Sequence, residues 1–384
     1  MSVKRVGVAG AGTMGSGIAQ LAALGGYETV LHDPQPEALA RGAEKLRANL
    51  ERGAERGRWS PEDAEAAAGR LETAAATDGF AGCDLVIEAA PERLELKRSL
   101  FAELERICGP DAVLATNTSS LPVADIAAEA KRPQRICGMH FFNPPPLMKL
   151  VEIVAAPATD EEVVAAATEV GERMGRTPIR CTDSPGFVVN RCNRPYALES
   201  LRMVEEGAAT PEQIDTVMRE DGGYRMGPFE LMDLIGIDVN LEVARSFHRQ
   251  RPISRWEPSP IQERLVAEGR LGRKTGAGFY TYDEDGKRSA GEAAPAVDDA
   301  RTAILERVVS QLVNEASFAV DEGVATPDDV DTAMRLGLNH PRGPFEWLDE
   351  LGAARVVAVL DGLRERTGSD RYDVAASLRS RAES

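Results

Sequence analysis

Gly10-Ala11-Gly12-Thr13-Met14-Gly15 stands between a short β-branched run, Val3 to Ala9, and a segment that takes up helical periodicity from Gly17. A G-x-G-x-x-G between strand and helix leaves few folds open. Gly10 makes a tight turn, Gly12 leaves room for a pyrophosphate against the backbone, and Gly15 lets strand and helix approach closely. Thr13 and Met14 open the helix, where unpaired N–H groups and the positive end of the helix dipole favour phosphate. A second strand-like run, Glu28 to Asp33, stops at Pro34. Its terminal carboxylate, Asp33, lies about 20 residues beyond the glycines, where it accepts from ribose hydroxyls and repels a 2′-phosphate. NAD is therefore expected as the cofactor in preference to NADP.

Residues 37–75 are rich in Ala, Glu and Arg and read as two helical stretches, the second opening at Ser60-Pro61 with a serine N-cap and proline in the first turn. Strand-like runs follow at 84–88, 112–116, 136–140 and 150–154, several of them separated by helical stretches. Alternating strands and helices predict a doubly wound parallel sheet of the Rossmann type. From about Ser184 the β-signal fades. Residues 205–236 align without a gap to 321–352, pairing Thr210 with Thr326, Pro211 with Pro327, Asp215 with Asp331, Phe229 with Phe345 and Glu230 with Glu346. The helical part is thus duplicated. The expected organisation is an α/β domain at 1–183, a first all-α copy at 184–282, a Gly/Ala/Pro-rich linker at 283–298 and a second all-α copy at 299–384.

Composition narrows the function. Lys and Arg number 45 against 62 Asp and Glu, a formal charge of −17 on 384 residues, which opposes general nucleic-acid binding. No apolar run reaches the ~18 residues of a membrane span. The chain runs directly into its first strand, and its five cysteines lack metal-ligand spacing, so no signal peptide, no metal and a reducing cytoplasm are expected.

Of four histidines, His140 closes a strand-like run, where open α/β sheets bind ligands. An imidazole suits the proton transfer that accompanies hydride transfer. Glu152, on the next strand-like run, is a carboxylate able to orient the ring and stabilise its cation. Ser119, His140 and Glu152 also have the composition of a hydrolase triad, but no Gly-x-Ser-x-Gly surrounds Ser119 and that reading leaves the dinucleotide site without a task.

Asn117-Thr118-Ser119-Ser120-Leu121, His140-Phe-Phe-Asn143-Pro, Met148-Lys149-Leu150-Val151-Glu152 and Ser184-Pro-Gly-Phe-Val-Val-Asn190-Arg191 occur in that order. With Gly227-Pro-Phe-Glu230 and Lys274-Thr-Gly-Ala-Gly-Phe-Tyr280, they resemble the L-3-hydroxyacyl-CoA dehydrogenase family, in particular its 3-hydroxybutyryl-CoA branch. The resemblance runs from about residue 4 to 282 and restarts in the repeat. It implies His140 as acid/base, Glu152 as its partner, and Ser119 and Asn190 as hydrogen-bond donors to the substrate oxygen. Asn143 is implied beside the nicotinamide, with Asp33, Glu92, Lys97, Asn117, Ser119 and Lys274 around the dinucleotide. An acyl-CoA needs a local cationic patch on so acidic a chain. The resemblance points to the stretch holding Arg41, Lys45, Arg47, Arg52, Arg56 and Arg58, with Asn49 and Arg56 at CoA-binding positions; both depart from the serine and lysine of that pattern.

Family members pair helical domains into homodimers. In the second copy Glu306 occupies the place of Asn190, so that copy is expected to be structural, either packing on the first as an internal pseudo-dimer within a monomer or leaving ordinary homodimerisation intact. Two other functions fit parts of the pattern: an NAD-dependent dehydrogenase of free hydroxy acids, resembling the gulonate dehydrogenases, and an NAD-binding protein without turnover.

Overall fold

The computed structural model describes residues 2–289 and 298–384 and divides into two compact units, Met1–Phe187 and Val188–Ser384. The first unit is built on β1 (Arg5–Ala9), β2 (Glu28–His32), β3 (Leu71–Ala74), β4 (Leu85–Glu88), β5 (Val113–Thr116), β6 (Ile136–Phe141), β7 (Leu150–Ala155) and β8 (Thr177–Thr182). Their spatial order is β3-β2-β1-β4-β5-β6-β7-β8. Helices α1 (Thr13–Leu24), α2 (Pro36–Glu55), α3 (Pro61–Gly69), α4 (Leu94–Ile107), α5 (Val123–Ala127) and α6 (Glu161–Arg173) alternate with the strands. Strands β4 and β5 are buried at every position, as strands covered on both faces must be.

Two strands were not foreseen, and one pairing differs from a uniformly parallel sheet. Leu71–Ala74 lies in the stretch read as helical; it is a short, half-exposed edge strand without apolar alternation. Thr177–Thr182 carries Pro178 and Arg180, residues tolerated only because it forms the opposite edge. Strands β6 and β7 pair antiparallel. Only residues 142–149 connect them, fewer than the dozen or so that a parallel crossover requires.

Helix α3 opens as its sequence predicts: Ser60 Oγ accepts from the Asp63 N–H at 3.0 Å, and Asp63 accepts in return from the Ser60 N–H. Such a cap contributes about 1 kcal/mol.

The second unit contains α7 (Val189–Cys192), α8 (Arg194–Glu205), α9 (Pro211–Glu220), α10 (Pro228–Ile235), α11 (Ile237–Gln250) and α12 (Pro260–Ala267). After these come α13 (Asp298–Asp321), α14 (Pro327–Leu338), α15 (Pro344–Leu351), α16 (Ala353–Thr367) and α17 (Ala376–Glu383). The constant offset of the sequence repeat carries α10 onto α15 and α12 onto α17 residue for residue. The repeated residues have repeated tasks. Asp215 accepts from the N–H groups of Phe229 and Glu230 at the start of α10, and Asp331 does the same for Phe345 and Glu346 at α15. A Cβ on Gly227 or Gly343 would lie 2.2 Å from the respective aspartate oxygen, which accounts for glycine at both positions. Residues 283–289, read from composition as the start of a linker, fold back as a hairpin in which Arg288 lies over Tyr280 and pairs with Glu230 at 2.9 Å. The remainder of that expected linker, 290–297, lies outside the described residues.

The two copies meet through reciprocal ion pairs. Arg191 of the first copy binds Glu315 (2.9 Å) and Glu322 (3.0 Å) of the second. The equivalent Arg307 binds the equivalent Glu199 (2.6 Å) and Glu206 (2.8 Å). Tyr224 meets its own counterpart, His340, with ring centroids 5.0 Å apart. Residue i contacting j while j contacts i is the mark of an isologous interface, here within one chain. Arg191 and Glu199 are fully buried, and removing one partner of a buried pair leaves an uncompensated charge. Arg191→Met is expected to cost about 3–5 kcal/mol, and Arg307→Met a comparable amount, in chemical denaturation of the full chain. A loss near zero at both positions would contradict the role given to these pairs.

Candidate active site

The loop after β1 is closed by backbone geometry that only glycine supplies. Gly10 has φ +113°, and its N–H donates to the His32 carbonyl at 2.7 Å, tying the loop to β2. A Cβ on Gly15 would lie 1.7 Å from the Gly10 oxygen. At Gly12 an added Cβ meets no atom within 4 Å, so the space against this backbone is open. Helix α1 starts at Thr13 without a side-chain cap or an acidic residue in its first turn, leaving its N–H groups directed at that space. Asp33 accepts from the Ala11 N–H and the Gln35 N–H, both at 2.9 Å, one on each carboxylate oxygen. Each oxygen keeps a lone pair for a hydroxyl donor. Gly10, Gly12, Thr13, Met14 and Asp33 line one cleft of about 710 Å³. The donor set and the open backbone fit a dinucleotide.

At the ends of β4 and β5 a buried ionic network shapes the next loop. The Lys97 ammonium donates to Glu88 at 2.6 Å and to the Ala90 carbonyl at 3.4 Å, and lies 3.2 Å from Glu92. Glu92 in turn accepts from the Thr118 hydroxyl (2.5 Å), the N–H groups of Ser119 and Ser120 (3.1 Å each) and the Ser120 hydroxyl (2.9 Å). Lys97 is therefore buried beneath the loop, and Glu92 holds residues 118–120 in place. Glu88, which also accepts from the Thr116 hydroxyl at 2.7 Å, was not singled out by sequence reasoning. The available signal was a carboxylate closing an otherwise apolar strand. Asn117 Oδ1 accepts from the Phe141 N–H at 2.8 Å, fixing the residue next to His140. Ser119 and Asn143 are exposed.

His140 and Glu152 are directly opposed in the β6–β7 register, so their side chains share one face of the sheet. His140 Nδ1 lies 2.5 Å from Glu152 Oε2, with the glutamate side chain fully buried. Phe142 and Phe187 flank the imidazole at ring-centroid distances of 4.5 and 5.7 Å. With Nδ1–H donating to the carboxylate, Nε2 is the nitrogen that can exchange a proton with a ligand.

A second, smaller cavity of about 230 Å³ lies between α1, α2 and the proline loop after His140. Asn49 and Arg56 line it together with Lys45, Arg52 and Arg58, whereas Arg41 and Arg47 do not. Trp59 packs on Gly53, where a Cβ would meet the indole at 1.9 Å. These four cations form no ion pair among the described residues, despite the glutamates on the same helix. Asn190 and Lys274 belong to the second unit. Asn190 is half-buried in α7, and the Lys274 ammonium is held by Asp238 at 2.5 and 2.7 Å.

The 3-hydroxyacyl-CoA dehydrogenase NAD-binding domain model matches residues 5–184. The C-terminal domain model of the same family matches twice, at 186–282 and 304–384. This chain belongs to the 3-hydroxyacyl-CoA dehydrogenase family. It is 37% identical to the 3-hydroxyadipyl-CoA dehydrogenase of Escherichia coli K12, across 100% of this chain and 98% of that protein. It is 40% identical to a 3-hydroxybutyryl-CoA dehydrogenase of Mycobacterium tuberculosis, over 73% of this chain and 99% of the other. Among solved structures, a 3-hydroxybutyryl-CoA dehydrogenase from E. coli K12 superposes with a TM-score of 0.91 at 37% identity, covering 100% and 99% of the two chains. No helix among the described residues is long and apolar enough to cross a membrane.

Burial alone would raise the Glu92 carboxyl, but the Lys97 ammonium and the Thr118 and Ser120 hydroxyls outweigh it and hold the group below its ordinary value of 4.5. A depressed folded-state value stabilises the fold above the unfolded value and ceases to do so as pH falls through the folded one. Glu92→Gln should therefore destabilise the chain at neutral pH, with the difference from wild type shrinking below about pH 4.5. Denaturation midpoints across this range test it; a difference that stays constant into acid contradicts the network.

Proposed function

We propose that this chain interconverts (S)-3-hydroxyacyl-CoA and 3-oxoacyl-CoA with NAD, acting on short acyl chains, and that His140 and Glu152 form its acid/base pair. The observation that carries this reading is the imidazole held by a buried carboxylate at the carboxyl end of a strand, in the same unit as the dinucleotide cleft. Gly10, Gly12, Thr13, Met14 and Asp33 hold the cofactor, with Asn143 and Lys274 completing its surroundings. Bound NAD supplies the hydride acceptor, and NADH the donor.

In oxidation His140 Nε2 takes the hydroxyl proton as the C3 hydrogen leaves with its electron pair; in reduction the imidazolium returns it. Glu152 keeps Nδ1 protonated throughout and stabilises the cation that forms. The Ser119 hydroxyl and the Asn190 amide donate to the C3 oxygen and favour its developing negative charge during reduction. Glu92, Lys97 and Asn117 act one step back, by fixing the Ser119 loop and the backbone beside His140. The unpaired cations around Arg56, with Asn49, receive the phosphates of coenzyme A. The five cysteines are buried free thiols, in keeping with a reducing cytoplasm. The two helical copies pair reciprocally within one chain, which supports a monomer built as an internal pseudo-dimer.

Reduction of acetoacetyl-CoA, followed by loss of NADH absorbance, should be robust, and free 3-oxo acids should be poor substrates. His140→Gln should lower kcat by ~10²–10⁴-fold with the NADH Kd retained. His140→Gln should slow reduction and oxidation alike. Full activity in His140→Gln would end the assignment. Arg56→Glu should raise KM for acetoacetyl-CoA by about tenfold while NADH is little affected; equal shifts for both ligands would remove the CoA site from this cavity. Light scattering should give a monomer mass, and a dimer would refute the self-contained interface.

A further inference from the structure

Residues 142–149 join the two strands that carry His140 and Glu152, and four of them, Pro144, Pro145, Pro146 and Leu147, form one wall of the cationic cavity beside α2. Little in the loop itself holds its shape. Three consecutive prolines supply no N–H donor. Its internal backbone bonds, among the described residues, run from the Leu147 and Met148 N–H groups to the Pro144 carbonyl, at 3.0 and 3.2 Å. Leu147 turns its apolar side chain outward, 54% exposed, and Pro145 is the one buried residue of the loop.

The support comes from Arg176, just ahead of β8. Its Nη1 donates to the Pro145 carbonyl at 3.1 Å and to the Met148 carbonyl, and its Nε donates to the Met174 carbonyl at 3.3 Å, which orients the guanidinium. The Thr177 N–H extends the same tie, donating to the Lys149 carbonyl at 2.6 Å. On the opposite side α1 makes room with Gly17, where a Cβ would lie 3.0 Å from Pro145 and 3.1 Å from Pro146. The loop is clamped between α1 and Arg176. Arg176 is half-buried and forms no ion pair among the described residues, and burial pulls its guanidinium below the ordinary value. A cation taken from water for carbonyls alone adds little stability; what it secures is the position of the loop. Arg176 does not line the cavity, so its effect passes through residues 145–148. His140 has separate supports in Glu152 and in the Asn117 bond to the Phe141 N–H.

We propose that Arg176 is a positioning residue for the coenzyme A end of the substrate: by clamping residues 145–148 against α1 it sets the proline wall of the cationic cavity. This rests on the assignment of that cavity to coenzyme A made above. The test measures kcat and KM for acetoacetyl-CoA in the full chain, together with the Kd of free coenzyme A and of NADH by calorimetry. Arg176→Met should raise KM and the coenzyme A Kd by about tenfold, with kcat and the NADH Kd within about threefold of wild type. Arg176→Lys keeps the charge and terminal donors but loses the Nε anchor, and should recover part of the loss. Gly17→Ala, which presses on the loop from the other side, should weaken coenzyme A in the same selective way, and gives the reading where Arg176→Met does not fold. Equal weakening of coenzyme A and NADH, the mark of a general loss of structure, overturns the proposal, as does coenzyme A binding that none of these variants moves. If Arg56→Glu weakens coenzyme A and the Arg176 variants do not, only the clamp falls; if Arg56→Glu has no effect either, the cavity assignment falls with it.

Discussion

A carboxylate taken wholly out of water is expensive unless a cation or several donors meet it, and the placement of Glu152 is governed by that cost. The side chain is fully buried, with the His140 imidazole 2.5 Å away. The contact depends on register: His140 and Glu152 are opposed only because β6 and β7 run antiparallel with Gly138 facing Val154. A slip of one residue would turn both side chains to opposite faces. Gly138 helps hold that register, since a Cβ there would lie 2.7 Å from the Val154 side chain. The short connection that forces antiparallel pairing is therefore part of the chemistry, and the Asn117 amide oxygen, bonded to the Phe141 N–H, ties the same strand end to β5.

The same economy recurs at β4. Glu88 is fully buried and is repaid by Lys97, Thr116 and the Ala90 N–H. Lys97 is shared with Glu92, whose remaining lone pairs collect the donors of residues 118–120. One buried cation thus positions a loop whose exposed serine hydroxyl is left free for a ligand. Rigid support beneath and an unsatisfied group above is what preorganised binding needs.

Much of the first unit was legible because local rules and global fold agree there. Gly10, Gly12 and Gly15 announce strand, turn and helix, and Ser60-Pro61 and Thr210-Pro211 announce helix starts that the backbone adopts. The edges were not legible. Leu71–Ala74 and Thr177–Thr182 have one neighbour each, so they need neither a continuous apolar run nor freedom from proline, and they leave little trace in composition. At the site, His140 and Glu152 could be picked out singly, but their opposition follows from pairing direction, which no periodicity records. Lys97 entered by resemblance alone, and its burial against Glu88 and Glu92 is a tertiary pairing that no periodicity records.

Duplication without a second sheet changes what the helical copies can become. In an isologous interface between separate chains, every substitution appears twice; within one chain the halves are free to diverge. The ion pairs have stayed symmetric, because each buried arginine still needs its glutamate. The positions near the pseudo-axis have not: Tyr224 faces His340, two rings where strict symmetry would place identical residues. Trp256 and Tyr372 likewise occupy equivalent places, but only the tyrosine hydroxyl bonds to the Arg307–Glu199 pair, at 3.0 Å to each. Divergence reaches charged groups too, since Arg202, paired with Glu199 at 3.1 Å, stands where the second copy has Phe318; what both copies keep is the arginine–glutamate pair that crosses between them.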